Sequence, residues 1–567
     1  MIRDIVKRIF EKALSPKVLF FYALLVLMVP NVWLVFTEQM SLLPALAQIL
    51  LPMAFYASVL SLTRSTGKQV WWLFIFVFFA AFQIVLLFLF GNSIIGVDMY
   101  LNVLTTNPAE AFEVLGNLLT GIATVVVLYI PLLVAATLQI MRKRLMPSAL
   151  IKRLRMTSAF GVSLGVLLCL ATAKFIGGYR VLCDLYPVNV IYNVKLTADR
   201  MSYLAHYDET SAGFGFHAKS EHVADTTEIY ILAIGETERA DHFQHYGYGR
   251  QTTPCLMSDS VNSVWFDDVL SQSNTTHKSV PMLLSTASAE DYDRIYKEKS
   301  IITAFREAGF HTAYISNQRR NHSFIDIFGN EADEVEFLKD DGNEHYDTEL
   351  IGHTQELVSA GHRKLFIVLH LYGSHFVYRE RYTANKAVFG PDDATEARAA
   401  NKESLINAYD NTILMEDMVL DSIFRLAVGN GAQVAMLYTA DHGENIYDDR
   451  RELFLHASPR PSYYDIHVPF FVLISPAYRT AYPDNVAAMM ENRQKPVSSN
   501  VAVFHTMLSL AGISTPYLNM SMSLSSPTYK CTGRYYLNDH NEPVSITCLK
   551  LEPEDLEMFR KKHLVYR

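Results

Sequence analysis

The sequence predicts an α/β protein in two parts: a bundle of five membrane-spanning helices, then a domain built on a mostly parallel central sheet. Three observations predict it. Five apolar stretches crowd the first 178 residues, each near the roughly 20 residues that a helix needs to cross a hydrocarbon core. From Glu228 onward, β-branched runs alternate with helix-length segments, the pattern of a parallel sheet with helices on both faces. Two of those runs are followed at once by acidic motifs, Gly235-Glu236 and Asp441-His442-Gly443-Glu444. Open α/β sheets place their ligand chemistry where strands end.

The spans are expected at Val18–Phe36, Leu42–Leu62, Val70–Phe90, Leu118–Ile140 and Ser158–Ile176. Loop charge orients them, because cytoplasmic loops concentrate Lys and Arg. The amino terminus carries Arg3, Lys7, Arg8, Lys12 and Lys17; the second loop has Arg64 and Lys68; the fourth has Arg142, Lys143, Arg144, Lys152, Arg153 and Arg155. The first and third loops carry acids instead, among them Glu38, Asp98, Glu110 and Glu113. The amino terminus is therefore expected in the cytoplasm and everything after the fifth span outside. The first span has the basic flank of a signal peptide, but no small-residue cleavage site follows it and four more spans do, so it is expected to stay. Before it, Ile2, Ile5, Val6, Ile9 and Phe10 alternate helically with Arg3, Lys7 and Arg8. That spacing suits a helix lying on the inner surface or a polar extension of span one.

Three regions follow: a transmembrane domain over 1–178, a connector and linker over 179–227, and a catalytic domain over 228–567. In the connector, Val188, Ile191, Val194 and Ala198 have near-helical spacing, while 208–227 has the Ser, Thr, Gly, Ala and His content of a linker. Strands are expected at Ile229–Ile234, His311–Ser316, Leu365–Leu371, Gln433–Thr439 and Pro469–Ile474. Helices are expected at Ser300–Ala308, Glu349–Ser359, Ser404–Leu426 and Ser499–Leu510.

Composition excludes some functions. Against 49 Lys and Arg stand 58 Asp and Glu, a net charge of −9, and no basic stripe interrupts the balance, so a nucleic-acid partner is not expected. Of five cysteines, Cys169 lies within a span; Cys531 and Cys548 flank a short segment and read either as a bridge or as two unpaired thiols.

Glu236 beyond the first strand and Asp441 with His442 beyond the fourth form a donor set suited to a divalent metal, zinc first. Capping carboxylates and a satisfied histidine are the competing reading. Between them, Ser271-Gln272-Ser273-Asn274-Thr275-Thr276-His277-Lys278-Ser279-Val280-Pro281 is a hydroxyl-rich turn entering an apolar helix. Thr276 there is either a helix cap or a metal-activated nucleophile. His375 and His456, each near a strand end, suit a phosphate oxygen or a second zinc, although most of the chain's 19 histidines must be ordinary surface or core residues.

Five motifs decide between these readings: Ile234-Gly235-Glu236-Thr237-Glu238-Arg239-Ala240, Tyr246-Gly247-Tyr248-Gly249-Arg250-Gln251-Thr252-Thr253-Pro254, Thr276 with Ser279-Val280-Pro281, His370-Leu371-Tyr372-Gly373-Ser374-His375, and Thr439-Ala440-Asp441-His442-Gly443-Glu444. In order and spacing the chain resembles the bacterial phosphoethanolamine transferases, whose five membrane helices precede an exported domain of the alkaline phosphatase and sulfatase fold. The resemblance implies that Glu236, Thr276, Asp441 and His442 hold one zinc tightly, that Thr276 is the nucleophile, and that His375 and His456 bind phosphate or a second zinc, with His467 close by as a rival to His456. It also implies that Asn102, Thr106 and Glu110 face the donor headgroup, where Glu110 could pair with an ammonium; solvated loop residues are the plain reading of those three. The implied donor is phosphatidylethanolamine, the acceptor lipopolysaccharide (a core sugar or a lipid A phosphate), and the place the bacterial inner membrane with the catalytic domain periplasmic.

Ser271 and Leu283 stand where lipid A-modifying members carry cysteines, and Ile315-Ser316-Asn317-Gln318-Arg319-Arg320-Asn321 lacks them too. These features resemble the branch acting on lipopolysaccharide core sugars. A phosphoglycerol transferase shares the metal-and-threonine chemistry, a sulfatase would need a modified Cys or Ser in a motif absent here, and a non-catalytic membrane receptor would be expected to have lost a ligand.

Overall fold

The computed structural model describes residues 15–90, 94–105, 119–222, 226–258, 261–429, 431–531 and 533–566. They form two compact units, one of 15–100 and 119–198, the other of 101–105 and 199–566. The amino-terminal segment read as amphipathic lies outside the described residues, as do Thr106 and Glu110.

In the first unit, four helices are long and apolar enough to cross a membrane: α1 (Pro16–Thr37), α2 (Leu42–Leu60), α6 (Leu119–Met141) and α7 (Ser148–Phe175). The expected third span is broken into α3 (Thr66–Trp72) and α4 (Phe74–Phe90), bent by 61° at Leu73, with α5 (Val97–Thr105) following. The broken pair gives a fifth crossing only if counted as one. Hydropathy does not register such a break, because every residue around it is apolar. Helix α7 begins ten residues before the expected fifth span, since hydropathy marks the apolar part of a helix and not its charged first turns. Those turns are used: Arg155 donates to the carbonyls of Ser61 (2.7 Å) and Leu62 (2.5 Å), which end α2, the kind of group that satisfies orphan helix carbonyls. Phe21, Leu25, Phe36, Trp72, Phe160 and Leu167 stand exposed on these helices, a surface suited to hydrocarbon and not to water.

The second unit is organised by a seven-stranded sheet. Its strands are β1 (Glu228–Gly235), β2 (Ser263–Trp265), β3 (His311–Ser316), β4 (Glu334–Phe337), β5 (Lys364–His370), β6 (Gln433–Ala440) and β7 (Phe470–Ile474), in spatial order β2-β7-β6-β1-β5-β3-β4. Strands β6, β1, β5, β3 and β4 are parallel, whereas β7 runs antiparallel to β6, and β2 to β7. The sheet is thus mixed, with five parallel strands running out to the β4 edge and an antiparallel pair at the other. The short edge strands β2 and β4 escape a sequence reading because three or four residues show no usable periodicity.

Central strands buried on both faces read as continuous apolar runs, and β1 shows why. Tyr230, Leu232 and Ile234 enter one core with Phe305, Phe366 and Val368; Ile229, Ile231 and Ala233 enter the other with Ile367, Leu369, Ile413 and Ile423. Around the sheet pack α8 (Thr276–Leu283), α9 (Ile301–Glu307, capped by the Ser300 hydroxyl), α10 (Glu349–Ser359), α11 (Lys402–Val428) and α12 (Ser499–Leu510). Within 208–227, Phe216 is buried and the Glu307 carboxylate accepts from the backbone N–H groups of Phe216 (3.0 Å) and Ala218 (2.9 Å). That stretch has the composition of a linker but part of it is anchored.

At the end of β1 the packing allows no side chain. A Cβ added to Gly235 would meet the Tyr438 hydroxyl at 2.1 Å, and that hydroxyl is held within hydrogen-bond distance of both the Glu238 and Glu416 carboxyl groups. Gly235→Ala should therefore cost about 1–3 kcal/mol by overpacking, read as a lowered thermal midpoint of the detergent-solubilised chain; an unchanged midpoint would show that Tyr438 can move aside.

Candidate active site

The register of three adjacent strands builds the site. Ile234 lies opposite Thr439 on β6 and His370 on β5, and Gly235 opposite Ala440. The ladder runs on one step further, with Asp441 N–H donating to the Gly235 carbonyl at 3.0 Å. Glu236 and Asp441 therefore emerge side by side from neighbouring strand ends, both fully buried.

Thr276 arrives from α8. The capping position is taken by Thr275, and Thr276 is the first helical residue, its hydroxyl turned away from the helix. Thr276 Oγ1 donates to Glu236 Oε1 at 3.1 Å and lies 3.2 Å from His442 Nε2. The turn is fixed from behind. Asn500 on α12 donates to the Ser279 carbonyl (3.0 Å) and accepts from Gln272 N–H (2.7 Å), while the Ser271 and Ser279 hydroxyls each donate to the Asp441 carbonyl at 2.6 Å.

The donor set fits a cation. His442 Nδ1 lies 2.9 Å from the Gly443 carbonyl; donating there leaves Nε2 as a lone pair. Nε2 is 3.2 Å from Asp441 Oδ2 and 3.8 Å from Glu236 Oε1, and the Glu236, Asp441 and His442 ligand atoms all lie within 4.8 Å of one another. Asp441 Oδ1 accepts from the N–H groups of Thr237 (3.1 Å) and His442 (2.8 Å), but Asp441 Oδ2 is buried without a hydrogen-bond partner. Oxygen and nitrogen atoms able to offer lone pairs thus converge on one point. Burial and the neighbouring Asp441 push the Glu236 carboxyl well above the ordinary range, and burial pushes His442 down to about 4, so its ring is neutral. Two carboxylates and a neutral imidazole turned toward one point form a zinc-type site.

Around this centre the sequence-predicted residues fall as follows. The His456 ring lies 4.2 Å from that of His442, and its Nδ1 is 2.8 Å from Glu444 Oε1. His375 stacks on Tyr372 at 5.0 Å, keeps its Nδ1 2.7 Å from the Phe376 carbonyl, and is within electrostatic reach of His456. Burial lowers both, His456 to about 4. His467 is engaged elsewhere, with Nδ1 2.8 Å from the Tyr463 hydroxyl. Asn102 falls on α5. Cys531 and Cys548 are free thiols and form no bridge.

Residue types alone left several contributors without a role. Gln318 Nε2 donates to Glu236 Oε2 (3.0 Å) and to the Leu371 carbonyl (3.1 Å) and lies 3.1 Å from His370 Nε2. It occupies one Glu236 oxygen and leaves the other toward Thr276. Glu444 orients His456 and accepts from the Tyr378 hydroxyl at 2.7 Å. Arg239, buried, donates to the Glu444 carbonyl (3.0 Å) and pairs with Asp448 (2.7 Å). Asn500 could not be found from one sequence, since nothing near it signals a site more than 200 residues away in the chain.

Comparison with known proteins agrees with this geometry. The Sulfatase family model matches residues 228–513. The phosphoethanolamine transferase EptC of Escherichia coli strain K12 is 26% identical over 331 residues, 56% of each chain, so the chain aligns with little more than half the length of such relatives. The zinc complex of the C-terminal periplasmic domain of E. coli EptC is 24% identical with a TM-score of 0.54, covering 60% of this chain and 98% of that one. The integral membrane lipooligosaccharide phosphoethanolamine transferase A of Neisseria meningitidis is 20% identical with a TM-score of 0.71, covering 90% of this chain and 98% of that one. The likeness to the Neisseria protein extends the shared fold across the apolar helices as well as the α/β unit. With its sheet, its strand-end carboxylates and the match over 228–513, the chain belongs to the sulfatase family.

Proposed function

We propose that this chain is a zinc-dependent phosphoethanolamine transferase of the bacterial inner membrane, moving the headgroup of phosphatidylethanolamine to lipopolysaccharide. One observation carries the reading: a half-buried threonine hydroxyl sits within hydrogen-bond distance of Glu236 and His442, beside the unpartnered Asp441 oxygen. Relatives named for the same reaction, one of them determined with zinc, support it. Residues 1–178 are the transmembrane domain with a cytoplasmic amino terminus, 179–227 the connector, and 228–567 the periplasmic catalytic domain.

Glu236, Asp441, His442 and Thr276 would hold the metal, which when bound lowers the hydroxyl pKa and stabilises charge on the phosphoryl oxygens. Thr276 Oγ1 attacks the donor phosphorus; the bond to diacylglycerol breaks and the departing oxygen takes up the proton. The phosphoethanolamine is left esterified to Thr276. An acceptor oxygen on lipopolysaccharide, a core sugar hydroxyl or a lipid A phosphate, then attacks the same phosphorus and Thr276 regains a proton. Two displacements replace one harder one. Neutral His375 and His456 stand by as phosphate ligands or as ligands for a second zinc. Asn102, Thr106 and Glu110 receive the donor headgroup, Glu110 pairing with its ammonium. The Ser271 and Leu283 positions favour a core-sugar acceptor.

Three outcomes test this. Thr276→Ala should lower transfer by on the order of 10³-fold or more and abolish an ethanolamine phosphate adduct on the tryptic peptide seen by mass spectrometry; substantial residual transfer would remove the covalent route. Labelled phosphatidylethanolamine and phosphatidylglycerol supplied in parallel should label only from the former, and the reverse would make the chain a phosphoglycerol transferase. Metal retention should weaken as pH falls. Burial and the neighbouring Asp441 hold the Glu236 carboxyl well above its ordinary range in the metal-free site, so a proton must leave before zinc enters, and affinity should fall with pH by up to about tenfold per unit. Zinc competition titrations against a chelator across pH would read it, and a flat profile would exclude Glu236 as a ligand.

A further inference from the structure

At the opposite end of the sheet from the catalytic centre, His311, Glu334 and His362 bring two imidazoles and a carboxylate together. Their nearest ligand atoms all lie within 4.8 Å of one another. His311 opens β3, Glu334 opens β4, and His362 lies in the turn before β5, so three segments meet at one corner. His311 Nε2 is 2.6 Å from Glu334 Oε1, and the His311 and His362 rings are stacked at 3.8 Å with 6° between their planes. Behind His311 Nδ1, the Asp333 carboxylate lies 3.9 Å away, itself held by the N–H (2.9 Å) and hydroxyl (2.8 Å) of Thr312. At that distance its charge, not a hydrogen bond, acts on the His311 ring and favours a cation there.

We propose that His311, Glu334 and His362 form a second, surface zinc site, separate from the catalytic centre. The donor set decides the class of ion. Two imidazole nitrogens with one carboxylate oxygen suit zinc among available divalent ions and bind copper(II) more tightly still. Three protein ligands leave a position to solvent, as the partial exposure of His311 (24%) and Glu334 (56%) allows. The site is not the catalytic one by another route: β3 carries His311 at its start, whereas Glu236 follows the far end of the neighbouring strands, a separation of roughly 20 Å at about 3.3 Å per residue. A metal here would tie the edge strand β4, which among the described residues pairs only with β3, to the turn entering β5. It would thus brace the sheet edge without touching the reacting groups.

The test uses the full-length protein in detergent, dialysed against buffered micromolar zinc, with metal counted by elemental mass spectrometry. His362→Ala, a change in a turn, should carry one zinc fewer per chain than the natural protein while keeping its transfer activity. With the catalytic centre already filled by zinc, added copper(II) should show electron paramagnetic splitting from two imidazole nitrogens, reduced to one in His362→Ala. His311→Ala should behave alike. Equal zinc content in the natural protein and both variants, or a copper spectrum that neither substitution alters, would overturn the site.

Discussion

The pairing of β1 with β6 is the constraint on which the rest depends. Eight residue pairs in parallel register, from Glu228 opposite Gln433 to Gly235 opposite Ala440, deliver Glu236 and Asp441 to adjacent positions in a dry pocket. Two carboxylates so placed repel, and burial adds to the cost of charging Glu236. The surroundings respond in a graded way. Gln318 occupies one oxygen of Glu236, backbone N–H groups occupy one oxygen of Asp441, and the remaining oxygens are left facing Thr276 and His442. That division converts an electrostatic liability into a directed cation site. A one-residue slip of β6 would move Asp441 to the other face of the sheet and leave Glu236 alone.

Strain accompanies this placement. Thr237, immediately after Glu236, has φ +58°, the left-handed region that a β-branched residue rarely enters. It is held there by donating N–H to Asp441, hydroxyl to the Glu236 carbonyl, and by accepting from the Tyr409 hydroxyl at 2.8 Å. The opposing loop needs a similar geometry at Gly373, where φ is +48° and an added Cβ would meet the Glu236 backbone at 3.0 Å. Such conformations cost of order 1–3 kcal/mol and persist only where the surroundings over-determine them. Here the same contacts that hold Thr237 also orient the two carboxylates, so strain and ligand geometry are one arrangement.

Sequence patterns disclosed the parts of this protein that depend on period and on strand ends. The five principal strands follow from β-branched runs, and the juxtaposition of Glu236 with Asp441-His442 follows from where those runs stop. Contributions that depend on distant packing did not show. Gln318 was visible only as one residue of a polar stretch, and Asn500 only as a polar residue in an apolar helix. Both act through hydrogen bonds to elements far away in the chain, which no local pattern encodes. The break at Leu73 was hidden for the opposite reason: in a uniformly apolar span nothing distinguishes one turn from the next. The edge strands β2 and β4 were too short for their alternation to register.

The absence of disulfides from the described site shifts its support to hydrogen bonds. Ser271 donates to the carbonyl of Asp441, Ser279 donates to that same oxygen, and Asn500 ties Ser279 to Gln272. Each such bond contributes about 0.5–1.5 kcal/mol net, less than a covalent link, but buried networks of this kind reinforce one another. The nucleophile's turn and the metal-binding loop are therefore fixed to each other directly, through backbone oxygen, and not through a cross-link at the rim. Rigidity obtained this way does not depend on the redox state of any thiol. It depends instead on the burial of Ser271, Ser279 and Asn500 themselves, which keeps water from competing for their bonds.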